Sequence, residues 1–121
     1  MQNYKDLKVW EKAHLFTLNV YEETKTFPKE EMYSLTNQLR RAASSVPANI
    51  AEGCGKNGNI GLAHFLNIAL GSSNEAEYFL ILSKDLNYLK EEKFQQLYNL
   101  INEVKGMLIA LINKVRTAPT T

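Results

Sequence analysis

The chain is poor in the residues that anchor chemistry. Its 121 residues include one cysteine, two histidines, one tryptophan and three prolines. The single cysteine, Cys54, excludes an intrachain disulfide framework and fits a reducing compartment. Neither sign of charge dominates: fourteen Lys and Arg against thirteen Asp and Glu leave a formal net charge of +1. A domain built to hold a polyanion usually shows a clear basic excess, and this one does not. No apolar run approaches the length of a membrane span. The segment MQNYKDLKVWEK has no apolar core, so no signal peptide is expected there. The expected setting is cytoplasmic, with no membrane partner. No alternation of polar and apolar residues marks a strand.

Helical period fills the space left by these absences. A hydrophobic content of 45% and a charged content of 22% suit one globular domain, 1–121, able to bury a core. The pattern predicts four helices, at about 4–26, 31–52, 60–89 and 91–116, with a loose tail over 117–121. Helix 1 carries two apolar stripes: Leu7, Trp10, Leu18 and Tyr21, then Val9, Ala13, Phe16 and Val20. One buried face needs only one stripe. Phe27-Pro28 ends the helix, because proline disfavours helical backbone in the residue before it.

Helix 2 steps along Leu35, Leu39, Ala42, Val46 and Ile50, with Pro47 inside it. Proline removes one backbone donor and strands the carbonyl of Ala43. The expectation is a kink there, with Ser44 or Ser45 satisfying that carbonyl. The alternative is a helix that stops at Val46 and restarts. Gly53 is expected as the positive-φ stop. Helix 3 is the least polar of the four, with Phe65, Ala69, Ser72, Ala76 and Phe79 as a stripe of small centre, and is expected to be buried on several sides. Helix 4 shows a narrow seam of Phe94, Leu97, Ile101, Val104, Leu108, Leu111 and Val115. Short connections predict an all-α, up-down-up-down antiparallel four-helix bundle. In that bundle Arg41 stands level with about Ser73. Two readings stay open: Arg40 or Arg41 pairs with Glu75, or both arginines are solvated.

Few patterns suggest a reaction. Gly53-Cys54-Gly55-Lys56-Asn57-Gly58 matches G-x-G-x-x-G in letters, with Glu75 and Glu77 about twenty residues on. The dinucleotide motif requires a preceding strand, and here a helix precedes it; the glycines serve a helix stop and a turn. Exposed amides opening helix 3 remain able to hold an anion. Glu11-x-x-His14 has the spacing of one half of a di-iron site, but His64 has Gly61 where the second glutamate belongs. His14 is expected as a half-exposed bundle residue, and no metal, cofactor or catalytic residue is expected. Cys54 near Lys56 is expected as an incidental loop thiol, with no histidine close in sequence. Helix 4 and the residues beside it carry Lys90, Lys93, Lys105, Lys114 and Arg116 against Glu91, Glu92 and Glu103. This mild excess gains weight if an oligomer repeats it, because phosphate affinity grows with the number of simultaneous contacts.

The segments LKVWEKAH, FPKEEMYSLTNQLRRAASSVPANIAEG and FLNIALGSSNEAE, in that order over about residues 4–90, resemble the bacterial four helix bundle protein family. It is also called the 23S rRNA-intervening sequence protein family, and some members carry a ribosomal protein label. A related branch comprises the accessory variability determinants of diversity-generating retroelements, pentameric bundles that bind a reverse transcriptase and nucleic acid. The resemblance implies a homo-oligomer, a pentamer, without catalysis, whose partners are further copies of itself and RNA or a nucleic-acid-processing protein. The chain departs from the retroelement branch in being nearly neutral. Trp10, Phe27 and Pro28 match the family's helix 1 and turn. Arg41, Pro47, Asn49, Glu52 and Gly53 match its helix 2 motif, and Gly71, Ser72 and Glu75 its helix 3 motif. These matches imply structural roles. Arg40, Arg41 and Lys56 are the expected nucleic-acid contacts. Against this stand an oligomeric scaffold for a protein partner, with no nucleic-acid role, and more distantly a metal-binding bundle enzyme.

Overall fold

The computed structural model describes residues 3–119, all of whose regular structure is helical. Four α-helices follow in chain order: α1 Lys8–Glu23, α2 Leu35–Cys54, α3 Asn59–Asp85 and α4 Glu91–Thr117. Short 3-10 turns occupy Tyr4–Asp6, Thr24–Thr26 and Lys29–Glu31, and no strand occurs among the described residues. α2 lies against α1 and α3, and α4 lies against α1 and α3; the α2–α3 contact is the most extensive. All four helices feed one apolar core that includes Phe16, Leu39, Ile50, Leu66, Leu80 and Ile101.

The helix boundaries differ from the sequence expectation for local reasons. The first helix does not run unbroken from Tyr4. The Asn3 side chain accepts from the Lys5 amide at 3.1 Å and caps a tight turn, after which Leu7 is extended at φ −84°, ψ 128°. α2 begins at Leu35, not Glu31, because Ser34 is its cap: the hydroxyl oxygen accepts from the Leu35 amide at 2.6 Å. Glu31 instead receives the Ser34 hydroxyl at 2.6 Å and the Tyr88 hydroxyl at 2.9 Å. α3 stops at Asp85 rather than near Leu89. Asn87 adopts φ 65°, its amide bonds to the Lys84 carbonyl, and the Tyr88 amide reaches back to Ser83, each at 2.9 Å. That double closure is the Schellman arrangement, and asparagine tolerates the left-handed position. Of the expected tail, Thr117 is still helical, Ala118 and Pro119 follow it, and residues 120–121 lie outside the described residues.

α2 runs through Pro47 without stopping at Val46. The carbonyl that proline strands is not satisfied by Ser44 or Ser45. Ser44 donates to Arg41 O, while the Ser45 carbonyl accepts from Asn49 Nδ2 at 2.8 Å. The partner comes from the neighbouring helix: the buried Thr17 hydroxyl of α1 faces the carbonyls of Ala43 and Ala13, each at 3.0 Å. Gly53 is not a positive-φ stop either. It lies buried inside α2, and a Cβ there would meet Phe65 Cβ at 3.1 Å and the Leu62 carbonyl oxygen at 3.2 Å. Its role is close approach of α2 to α3. The positive-φ glycine is Gly58, at 89°, which opens α3.

Burial follows the expected faces with two exceptions. In α4 Ile112, not Leu111, is fully interior, with Leu111 packed at its edge. α3 turns Ala63, Leu66, Ala69, Ser73, Ala76 and Leu80 inward, so Phe65, Ser72 and Phe79 are only half-buried. Within this chain α3 is not covered all round: Ile60, Ile68 and Tyr78 are exposed, Ile60 to 83%. Of the α1 stripe of Leu7, Trp10, Leu18 and Tyr21, Leu18 and Tyr21 are likewise about half exposed, while the stripe of Val9, Ala13, Phe16 and Val20 is buried.

Candidate nucleic-acid interface

The three basic residues expected to contact nucleic acid do not form one site. Arg40 turns toward α1: its Nε–H donates to the Thr24 hydroxyl at 2.8 Å, and its guanidinium lies 4.9 Å from the Tyr21 ring. Thr24 in turn donates to the Val20 carbonyl at 2.8 Å. Arg40 is therefore a clasp on the end of α1. Arg41 faces the other way, toward α3. It lines a recess of about 300 Å³ with Gln38, Ser45 and Glu75. The level match to Glu75 is thus correct, yet no Arg41–Glu75 ion pair forms, and both side chains are exposed. Lys56 lies beyond the end of α2, about 20 Å further along at the helical rise of ~1.5 Å per residue.

Lys56 has other company. Its ammonium pairs with Glu52 at 3.2 Å and stands 5.2 Å from the Phe65 ring centre. A Cβ on Gly61 would meet Lys56 Cβ at 2.9 Å, so the lysine stem lies pressed on the first turn of α3. The last turn of α4 brings Lys114 and Arg116 to the same end of the molecule. Neither forms an ion pair with an acid among the described residues. The pairing of Lys56 with these two was missed in the sequence because 58 and 60 positions separate them. The available signal was the basic last turn of α4, which the sequence shows only as part of the mild basic excess of that helix.

The remaining family-motif residues sit where packing needs them. Trp10 stacks on His14 at 5.0 Å and meets Tyr4 edge-on at 5.2 Å. Phe27 is buried and contacts Tyr88 at 5.6 Å, with Pro28 extended beside it. Gly71 is different: it lies exposed in mid-helix, and a Cβ there would meet nothing within 4 Å. Ser72 beside it is half-buried.

Chemistry elsewhere is sparse. Glu11 and His14 gather no further ligands, and no cluster of three or more His, Cys, Asp or Glu able to hold a metal occurs among the described residues. His64 rests edge-on against Phe65. Cys54 is a buried residue of α2 rather than a loop thiol, and burial pushes its thiol pKa up, opposite to an activated nucleophile. No described helix is long and apolar enough to cross a membrane.

A family model described as 23S rRNA-intervening sequence protein matches residues 5–110. A crystal structure of a protein of unknown function from the S23 ribosomal protein family of Bacteroides thetaiotaomicron VPI-5482 is similar in fold. It has a TM-score of 0.80 at 28% identity, covering 87% of this chain and 95% of that one. No curated protein matches the sequence.

Proposed function

The chain belongs to the 23S rRNA-intervening sequence protein family, and from that premise we propose a homo-oligomeric, non-enzymatic interaction protein of the cytoplasm that contacts RNA weakly. The observation that carries it is the apolar surface the single chain leaves uncovered. Leu15, Leu18 and Tyr21 on α1, Ile68 and Tyr78 on α3, and Ile109 on α4 are all exposed. Scattered apolar side chains are normal on a monomer; rows of them along helix faces suit packing against further copies. The family resemblance favours five. The helices run up-down-up-down, a topology supported by Lys12 meeting Glu103 at 3.0 Å and Glu23 meeting Lys93 at 3.9 Å. α2 bends at Pro47, which the Thr17 hydroxyl accommodates.

RNA is the favoured partner because of the family's association with ribosomal RNA and the basic group of Lys56, Lys114 and Arg116. At a net charge of +1, one copy offers few phosphate contacts, and an array of copies multiplies them. Light scattering coupled to size exclusion is expected to show a multimer near five chains; a monomer at micromolar concentration defeats the assembly. RNA-fragment binding that weakens as salt rises is expected, and no binding at low salt removes the RNA role. That second result leaves the other reading, an oligomeric scaffold for a protein partner, which near-zero net charge favours.

A further inference from the structure

Where α2 turns into α3, two recesses open side by side, of about 370 and 460 Å³. Asn59, Val115 and Ala118 form the ridge they share. The smaller recess has Lys56 and Lys114 on its wall; the larger has Ile60 and Ala63 as an apolar wall, with Asn67 and Arg116. Among the described residues no carboxylate lines either one. The volume of the larger falls in the usual range for small-molecule sites, roughly 300–1,000 Å³.

The two halves differ in chemistry. On one side, Lys56 is held by its stem against Gly61, with Glu52 at 3.2 Å engaging one of its three ammonium donors, and Lys114 has no acidic partner among the described residues. Gly58 places no side chain over the first turn of α3, whose leading amides have no acceptor within the helix. On the other side, a flat apolar group has room against Ile60, Ala63 and Val115. There Asn67 spends its amide donor on the Ala63 carbonyl at 3.0 Å, which leaves its side-chain oxygen open as an acceptor. A ligand matching both halves carries a phosphate at one end and a flat ring with hydrogen-bonding edges at the other.

We propose that this cleft binds a nucleoside 5′-phosphate, with the phosphate held by Lys56 and Lys114 and the base seated against Ile60, Ala63 and Val115. The ligand can be a free nucleotide or the 5′ end of an RNA strand. Only the RNA source rests on the RNA-binding role above. This is not a dinucleotide loop, since Gly53 lies inside α2 and no strand precedes it.

The test measures binding of 3′-labelled single-stranded RNA octamers by fluorescence anisotropy, carrying either a 5′-phosphate or a 5′-hydroxyl. Uridine and adenosine monophosphates and inorganic phosphate serve as competitors. Tighter binding of the 5′-phosphate strand, about five-fold or more, is expected. Lys56→Gln with Lys114→Gln should abolish the difference, and Lys29→Gln, in the turn that precedes α2, should leave it. As a check independent of the variants, uridine monophosphate should shift the amide NMR signals of Gly58 and Gly61 in the unaltered protein. Equal affinity for the two strands, with no nucleotide-induced shift, overturns the cleft and leaves RNA binding standing. Mononucleotide binding without RNA binding supports the cleft and removes the RNA role. Inorganic phosphate competing as well as a mononucleotide means an adventitious ion only, and overturns the base recess.

Discussion

Replacing Gly71 with alanine separates what one chain needs from what an assembly needs. Gly71 lies in the middle of α3, at least twelve residues from Asn59 and from Asp85, so no end effect excuses a glycine there. In a helix interior, glycine is less favourable than alanine by about 0.8–1.0 kcal/mol. An added Cβ meets nothing within 4 Å, so no clash subtracts from that gain. In the isolated chain, Gly71→Ala should stabilise by about 1 kcal/mol, which for a domain of this size raises the melting temperature by about 4 °C. Gly106 of α4 is an internal yardstick, since it too has open space around it. Both variants are melted at a dilution where light scattering verifies a monomer, then again at a concentration where the protein assembles. If a second copy packs on Gly71, its variant gains when dilute and loses multimer when concentrated, while Gly106→Ala gains in both. A verified monomer that Gly71→Ala fails to stabilise refutes the reasoning, because some contact must then oppose the added methyl.

Other substitutions probe the features that hold the helices together. Gly53→Ala should cost about 1–3 kcal/mol by overpacking, since the Leu62 backbone oxygen in its way cannot rotate aside; unchanged denaturant midpoints contradict the close approach. Thr17→Val should cost about 1–3 kcal/mol by leaving a buried carbonyl without a donor. Adding Pro47→Ala should recover part of that loss, because the new amide can serve Ala43, and strict additivity of the two changes argues against the shared carbonyl. The Ser34 and Tyr88 hydroxyls hold the Glu31 carboxyl below the usual carboxylate range, while Glu31 beside it raises the Tyr88 phenol. Glu31's contribution is therefore present above the ordinary carboxylate pKa of about 4.3 and lost as pH falls through its lowered folded value. Tyr88's is present below about 10 and lost as pH rises through its raised value. Tyr88→Phe should thus be less stable than the parent at neutral pH, with the gap closing in acid; a gap that persists into strong acid excludes the bond.

Legibility in the sequence followed the range of the interaction. The α4 seam was readable because helical period is a local signal, and it erred only between Leu111 and Ile112, two neighbours at the edge of the same face. Four helices and their family were readable from SVPANIAEG and the segments around it. The start of α2 was misplaced although Ser34 is an ordinary capping residue, because the charged run before it looked like a first turn. Gly53 was misread because a glycine near a helix end serves either as a stop or as a close contact, and only the partner helix decides which. The basic group at the loop end escaped notice because its members are far apart in the chain and meet only once α4 is laid beside α3.

Thr17 and Pro47 together bear on how the molecule assembles itself. A helix with an interior proline is a poor autonomous folder, since its middle lacks one rung of its own ladder. In this protein the missing rung is supplied from outside, by a hydroxyl that arrives only when α1 is seated at one height. Sliding α1 by a single turn, about 5.4 Å, would strand the Ala43 carbonyl in an apolar interior. The proline thus acts as a vernier mark between two greasy surfaces that would otherwise slip. It also ties completion of α2 to docking of α1, so the two are expected to gain protection from hydrogen exchange together rather than in sequence.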